Sequence, residues 1–410
     1  MTALQLIDTN FIEGVLNEPV KEIAIKEGCK EGDNVAGSLK AITATLASGK
    51  QKHFIFKHFP MEVTQENGFV IFMKVFWREN SVYKILFPKL EEFAKSRGFE
   101  YESPTVKYYK GYNDDKQDYI LLEDARPAGY IMPDKTISLT KDQVTLIMKE
   151  FATFHAISYA FLRDQGERIF KELEGFQYFV MDEMVQELME TNFNMVLKRF
   201  YDVAIEVLEK RYPEGAEKMR KYAEKNGTPP NTVEHLTDNK YFATLVHFDL
   251  WSNNMLIKNN KQDQPTSVKF IDFQFMQRGN IFSDLLYFMY TSTTPEFRKA
   301  HLHTTLNVYY DAFQETLEKI KTPLPCGFTK GFLIDEFEAG IISAFGRMTF
   351  AVPLQLGLIS KTKTKDGENL EDAVADMHSK ESIMKIYMES PRAQERMEAL
   401  AREMVENKYL

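Results

Sequence analysis

Three oxygen-bearing residues stand at spacings that suit phosphoryl transfer. Asp249 and Asn254 lie within Leu245-Val246-His247-Phe248-Asp249-Leu250-Trp251-Ser252-Asn253-Asn254, and Asp272 lies within Phe270-Ile271-Asp272-Phe273-Gln274. A hydroxyl that attacks a phosphate needs a proton acceptor, the role assigned to Asp249. The phosphates need a bridging Mg²⁺, for which Asn254 and Asp272 are candidate ligands. All three offer oxygen, and none is a thiolate or an imidazole. Read singly, each has a plain explanation, because Asp and Asn after a strand are common turn and cap residues. The compound pattern points to chemistry: His-x-Asp-x-x-x-x-Asn followed by an Ile-Asp-Phe strand is hard to reach by accident.

The elements that must position these residues are legible around them. Asp249 ends the apolar run Leu245-Val246, and Asn254 opens the next, Met255-Leu256-Ile257. The polar stretch from Asn259 to Pro265 reverses the chain, and Val268 to Ile271 returns as a strand that carries Asp272 back beside Asn254. Upstream, Lys26 to Ser38 is rich in small and turn residues and precedes an extended run, Leu39 to Leu46. Its backbone N–H groups suit a loop over phosphates, but the motif is weak, and read in isolation a glycine-containing hairpin explains it better. His53-Phe54-Ile55-Phe56-Lys57-His58-Phe59 reads as a strand with Lys57 in its middle, either contacting phosphate or snorkelling to water. From Phe72 to Leu86, the positions Phe72, Val75, Phe76, Val82, Tyr83 and Leu86 follow the rhythm of one buried helical face. Glu79 falls on that face, and a buried carboxylate needs a cation or a raised pKa, with Lys57 the obvious partner; the alternative is that Glu79 lies at the edge of the stripe and reaches water.

The motifs His247-Phe248-Asp249-Leu250-Trp251-Ser252-Asn253-Asn254, Ile271-Asp272-Phe273-Gln274 and Ser283-Asp284-Leu285-Leu286-Tyr287-Phe288 resemble the ecdysteroid kinase-like (choline-kinase-like) family. That family lies in the protein-kinase-like and aminoglycoside phosphotransferase superfamily. Its usual pattern is His-Gly-Asp-x-Trp-x-Asn-Asn, then Asp-Phe-Gln, then Asp-Leu-x-Tyr. The resemblance implies an α+β, bilobal protein-kinase-like fold, with a small β-rich N-lobe over residues 1–125 and a large, mainly helical C-lobe over 126–410. It implies ATP and Mg²⁺ as cofactors, with Gly32, Asn34 and Ser38 in the phosphate loop and Lys57 on the α and β phosphates. Glu79 is then the partner of Lys57, and Glu123 to Ala125 form the hinge that reads adenine through main chain. Asp284, otherwise an N-cap or first-turn acid of a helix from Leu285 to Tyr290, is implied to brace the catalytic loop, with His247 as a second brace. His155 also matches a family position, but a helix histidine among aromatics is a core residue to which no chemistry is assigned. One position departs from the pattern. Phe248 stands where glycine is usual, and a bulky residue does not take positive φ cheaply, so either the backbone there is ordinary or the loop is altered.

Composition fits a globular enzyme. A chain of 410 residues exceeds what one core usually serves, which agrees with two lobes. With only Cys29 and Cys326, no disulfide framework is indicated, and the first residues lack the uninterrupted apolar run of a signal peptide, so the cytoplasm is expected. No run approaches the length of a spanning helix, so no membrane partner is expected. A net charge of −9 argues against a nucleic-acid partner without opposing a nucleotide site. Helices are expected over Gln143 to Ala160 and Tyr178 to Leu208, with breaks near Glu224 to Pro230 and Lys321 to Gly327. The tail from Ser379 reads as one solvated helix with Met384, Ile386, Met388, Met397, Leu400 and Met404 inward.

The expected partner is a small-molecule alcohol that receives the γ-phosphate. The resemblance suggests a hydrophobic one such as an ecdysteroid-like steroid. The segments Phe345 to Phe350 and Pro353 to Gln355 either line its pocket or belong to the lobe core. The alternative is a catalytically weak or inactive kinase fold that binds nucleotide or a lipophilic ligand. The sequence assigns no oligomeric state.

Overall fold

The computed structural model describes residues 6–28, 38–58, 74–115, 117–180, 183–227, 242–358 and 379–410. The chain forms the expected α+β, bilobal, protein-kinase-like fold. Five antiparallel strands make the smaller lobe: β1 (Val20–Glu27), β2 (Ser38–Leu46), β3 (Gln51–His58), β4 (Tyr108–Tyr112) and β5 (Tyr119–Glu123), in the order β1-β2-β3-β5-β4. Strand alternation explains its two faces. Phe54 and Phe56 are fully buried on one side with Ile42, Ala44 and Leu121, beneath the short helix α1 (Thr9–Leu16). On the other side Ile120 and Leu122 join the main core, against a helical run that begins with α2 (Val75–Ser81) and ends with α3 (Phe87–Ser96). Lys57, one residue from Phe56, therefore points towards α2.

Between α2 and α3 the chain passes through a π-helical turn, Val82–Leu86, which a regular 3.6-residue rhythm does not anticipate. Pro88 supplies the reason: it lacks an N–H and its ring crowds the carbonyl one turn back, and the wider turn relieves both. Phe72, the first position of the expected face, lies outside the described residues.

The larger lobe is built on helices. α4 (Lys141–Gln165) starts at a capping box of Thr140 and Gln143 and packs along α8 (Pro295–Lys319). α5 (Glu183–Arg211) and α6 (Pro213–Asn226) follow α4, while α7 (Ile281–Ser292) is buried along its whole length against α9 (Lys330–Gln355). The expected single hairpin is larger than foreseen. β6 (Tyr130–Ile131) adds to β8 (Met255–Asn259) and β9 (Pro265–Phe270), and β7 (Thr244–Val246) pairs separately with β10 (Gln277–Gly279). The tail is two helices, not one: α10 (Lys380–Glu389) and α11 (Pro391–Glu406). Pro391 cannot continue α10 but opens α11, and the resulting turn buries Ile383 and Tyr387 while Met388 stays exposed.

Candidate active site

The catalytic loop is closed by its own asparagine. After β7 the chain turns through His247 to Trp251 and one 3₁₀ turn, Ser252–Asn254, into β8. The Asn254 amide nitrogen donates to the Asp249 carbonyl at 2.8 Å and to Asp249 Oδ2 at 2.9 Å. That commitment of Nδ2 leaves the side-chain oxygen, Asn254 Oδ1, as the atom available to a cation, distinct from the backbone carbonyl. In the hairpin Met255 pairs with Phe270, and the Ile271 N–H donates to the Asn254 carbonyl at 3.0 Å, which sets Asp272 beside Asn254. Asp272 has φ 64°, a left-handed conformation that aspartate adopts more readily than most residues. The bend at Asp272 places its carboxylate against the smaller lobe.

There Lys57 Nζ lies 2.6 Å from Asp272 Oδ1 and 2.6 Å from Glu79 Oε2. Burial opposes the Lys57 charge, but the two carboxylates outweigh it and raise its pKa above the ordinary lysine value. Burial pushes Glu79 up to about 7 against the pull of Lys57. α2 is fixed on both sides of this pair by residues with no sequence signal. Arg78 donates to the Gln274 carbonyl at 3.0 Å, just past Asp272, and to the Tyr178 carbonyl at 2.7 Å. Asn80 donates to Asn113 Oδ1 at 2.7 Å and accepts from the Tyr108 hydroxyl at 3.2 Å. Asn80 fits because the adjacent position on β4 is Gly111, where a Cβ would collide with its side-chain oxygen.

A buried network holds the loop from below. Asp284 accepts from the backbone N–H of both His247 and Phe248, each at 2.7 Å, and His155 Nε2 lies 3.2 Å from Asp284 Oδ2. His155 Nδ1 meets the Tyr309 hydroxyl at 2.7 Å. Because an ionised Asp284 only accepts, Nε2 carries the proton and Nδ1 accepts from Tyr309. The N-cap of α7 is Asn280, whose side chain accepts from Phe282 N; Asp284 is an acid of the first turn, turned inwards. The expected helix start at Leu285 is thus four residues late, because Asn280 satisfies the first free N–H groups. His247 Nε2 bonds the Ile271 carbonyl at 2.9 Å and so ties the loop to the Asp272 strand. Phe248 has φ 67°. Neither expectation for this position holds: the bulky residue takes the left-handed conformation, and the two amide bonds to Asp284 hold it there.

Burial and the neighbouring Asp272 push Asp249 above the ordinary carboxylate range, against the pull of His247, Asn254 and Arg347. The Tyr287 hydroxyl interacts with the Asp249 carboxylate. Of the late segments, Phe345, Met348, Thr349 and Pro353 are core residues of α9, and Gln355 bonds the Thr291 carbonyl at 2.8 Å. Arg347 alone among them stands by the catalytic loop, against Phe248 and Tyr287. No short motif marks Arg347, whereas Tyr287 is the tyrosine of the Asp-Leu-x-Tyr pattern, to which the sequence assigned no role.

The remaining candidates lie along the edge of the smaller lobe. Gly32 and Asn34 lie outside the described residues, and Ser38 opens β2 opposite His58. Glu123 ends β5 opposite Phe54, and the next residue's N–H donates to the His53 carbonyl at 3.1 Å. Ala125 is buried, and its carbonyl accepts from Ala128 and Tyr130. Asp124 and Arg126 are ion-paired, and Arg126 reaches the Gly28 carbonyl at 3.2 Å, joining the expected hinge to the start of the expected phosphate loop.

The donor set fits a hard cation. Beside Asp272, Gln274 Nε2 donates to Oδ2 at 3.3 Å, and its own Oε1 is a buried oxygen with no hydrogen-bond partner among the described residues. Among the described residues no cluster of three or more His, Cys, Asp or Glu forms a metal site. Two protein oxygens that leave the other positions to phosphate and water are the usual provision for Mg²⁺.

One comparison with known proteins, the family model, agrees with the motifs. The model of the ecdysteroid kinase-like family matches residues 31–322. No curated protein sequence matches the chain. Among solved structures, an amicoumacin kinase in complex with AMP-PNP, Ca²⁺ and its antibiotic is similar at 14% identity and a TM-score of 0.39, over 90% of this chain and 89% of that one. The family match spans more than half of the sequence and includes the whole catalytic hairpin, so the chain belongs to the ecdysteroid kinase-like family.

Proposed function

We propose that this protein is an ATP-dependent small-molecule kinase that phosphorylates a hydroxyl of a hydrophobic alcohol, with an ecdysteroid-like steroid as the favoured acceptor. The observation that carries the reading is the convergence on Lys57 of Glu79 and Asp272, which joins the β-rich lobe to the catalytic hairpin. In this reading residues 1–125 hold the nucleotide and 126–410 hold the catalytic loop and acceptor. Lys57 binds the α and β phosphates, Glu79 orients it, and Gly32, Asn34 and Ser38 belong to the loop above them. Glu123 and Ala125 contribute main-chain atoms to the adenine site. Asn254 and Asp272 would hold Mg²⁺, which when bound neutralises the phosphates. Asp249 takes the proton of the acceptor hydroxyl as its oxygen bonds to the γ-phosphorus and the bond to ADP breaks. Its raised pKa suits a base, because a stronger base removes that proton more readily.

The alternative, a kinase fold that binds without catalysis, drew on Phe248. In the structure Phe248 keeps the positive φ that a glycine would supply, and the His247 and Phe248 amides are held by Asp284, so this position gives no reason to expect inactivity. Among the described residues no helix is long and apolar enough to cross a membrane. The test is ADP release with hydroxylated steroids, plant alcohols, choline and aminoglycosides, using Asp249→Asn as the blank. Turnover above that blank with at least one alcohol is expected. Nucleotide binding without turnover on any acceptor would favour the binding protein.

A further inference from the structure

Helix α9 brings to the catalytic loop a charge that it does not spend on the protein. Arg347 is half-buried, and its guanidinium carbon lies 4.8 Å from the ring centre of Tyr287 and 5.5 Å from that of Phe248. Phe248 precedes Asp249, and Tyr287 interacts with the Asp249 carboxylate, so the guanidinium stands close to the proton acceptor. Asp249 and Arg347 attract one another without forming an ion pair. Among the described residues the guanidinium has no hydrogen bond, which is unusual for a group with five N–H donors. Two arginines buried more deeply are engaged by the protein. Arg298 bonds Glu403 and the Met289 and Thr293 carbonyls, and Arg78 bonds the Tyr178 and Gln274 carbonyls.

Two features of the chain deliver Arg347 to this place. Gly340 lies about two turns earlier on the same face of α9. A Cβ at Gly340 would meet the tip of the Leu286 side chain, so the glycine lets α9 lie against α7 with Leu286 as it stands. Phe248 supplies the second feature, since its ring is one of the two surfaces on which the cation rests. A glycine there would offer no such surface. Leu286, Tyr287, Tyr290, Ser343, Ala344 and Met348 line a small space with Arg347, so most of its immediate surroundings are apolar or aromatic. In such surroundings a cation binds an oxygen strongly and repels a second cation strongly.

We propose that Arg347 is an acceptor-recognition residue: its free N–H groups bond an oxygen of the acceptor close to the hydroxyl that Asp249 deprotonates, and its charge refuses cationic acceptors. The class taken is therefore an uncharged or anionic alcohol that carries further hydroxyl, ketone or carboxylate oxygens on an apolar frame. Quaternary amines and polyamines are excluded. This deepens the kinase reading and rests on it for the role of Asp249.

The test compares the wild type with Arg347→Met and Arg347→Lys. ADP release is measured with ecdysone, cholate, choline and kanamycin, and the same four compounds are titrated calorimetrically. The wild type is expected to take ecdysone or cholate and neither cation. Arg347→Met should raise the acceptor KM on the order of ten- to a hundredfold, the loss expected for a charged hydrogen bond, with the KM for ATP nearly unchanged. Arg347→Lys should recover part of the loss and, by retaining the charge, serves as the folding control. A fall in kcat with an unchanged acceptor KM would overturn the proposal, because the charge would then serve the transferred phosphoryl group. Wild-type preference for choline or kanamycin, or failure to bind either ecdysone or cholate, overturns it as well. The two readings fail separately. Binding of ecdysone or cholate that depends on Arg347 without ADP release sinks only the kinase, whereas ADP release indifferent to Arg347→Met sinks only the recognition role.

Discussion

The carboxylate of Asp284 accepts two consecutive backbone amides, His247 N at Oδ2 and Phe248 N at Oδ1, both at 2.7 Å. One fully buried acid thereby fixes the residue before Asp249 from 36 positions away and holds it at a positive φ. Left-handed backbone costs about 1–2 kcal/mol for a residue with a Cβ, which two hydrogen bonds to a charged acceptor readily offset.

Asp284→Asn replaces one accepting oxygen with an NH₂ group that faces an N–H donor. The variant is expected to lose about 1–3 kcal/mol of stability in urea denaturation and to lose kcat, while its affinity for nucleotide is retained. An unchanged urea midpoint would show that the two amides do not depend on this acid.

Lys57 and Glu79 are both buried, and removing Lys57 leaves Glu79 without its cation, whereas Lys57 without Glu79 would still pair with the more exposed Asp272. Lys57→Ala should destabilise the protein by about 3–5 kcal/mol, whereas the double variant Lys57→Met/Glu79→Leu should come close to wild-type stability. Both should lose ATP binding in nucleotide titrations. If the stable double variant still binds ATP, Lys57 has no phosphate role.

His155 titrates below its ordinary value because burial disfavours the imidazolium, although Asp284 pulls the other way. The unfolded chain therefore takes up a proton below about pH 6.5 that the folded chain refuses. Stability should fall as pH drops through that region, by at most about 1.4 kcal/mol per pH unit for this one group. Urea denaturation at several pH values from neutral to mildly acidic, on wild type and His155→Gln, should show a shallower slope in the variant. Identical slopes would remove His155 as the cause.

Gly111→Ala puts a methyl group where Asn80 docks. Overpacking of this kind costs about 1–3 kcal/mol. Because Asn80 adjoins Glu79, the affinity for ATP should also weaken. Thermal denaturation and nucleotide titration of Gly111→Ala, with Asn80→Ala as the companion, test this; a Gly111→Ala protein as stable as wild type would mean that Asn80 relocates freely.

Local relationships were legible in the sequence because short-range geometry enforces them. Asp249 and Asn254 are close enough for one turn to close on itself, and the hairpin return sets Asp272 beside them. Glu79 was readable as inward-facing because helical periodicity fixes the direction of a side chain, and a buried carboxylate requires a cation. Features that depend on distant contacts were not legible. The bulk of Phe248 argues against a positive φ, and only the two amide bonds to Asp284 reverse that preference. The start of α7 at Asn280, the π turn ahead of Pro88 and the division of the tail at Pro391 each follow from competition between neighbouring backbone groups that residue type alone does not rank. Arg347 belongs to a helix whose sequence reads as core. Its place beside Asp249 follows from the packing of α9 on α7, where Arg347 rests on Tyr287 and Gly340 faces Leu286, a contact between chain segments that no local pattern encodes.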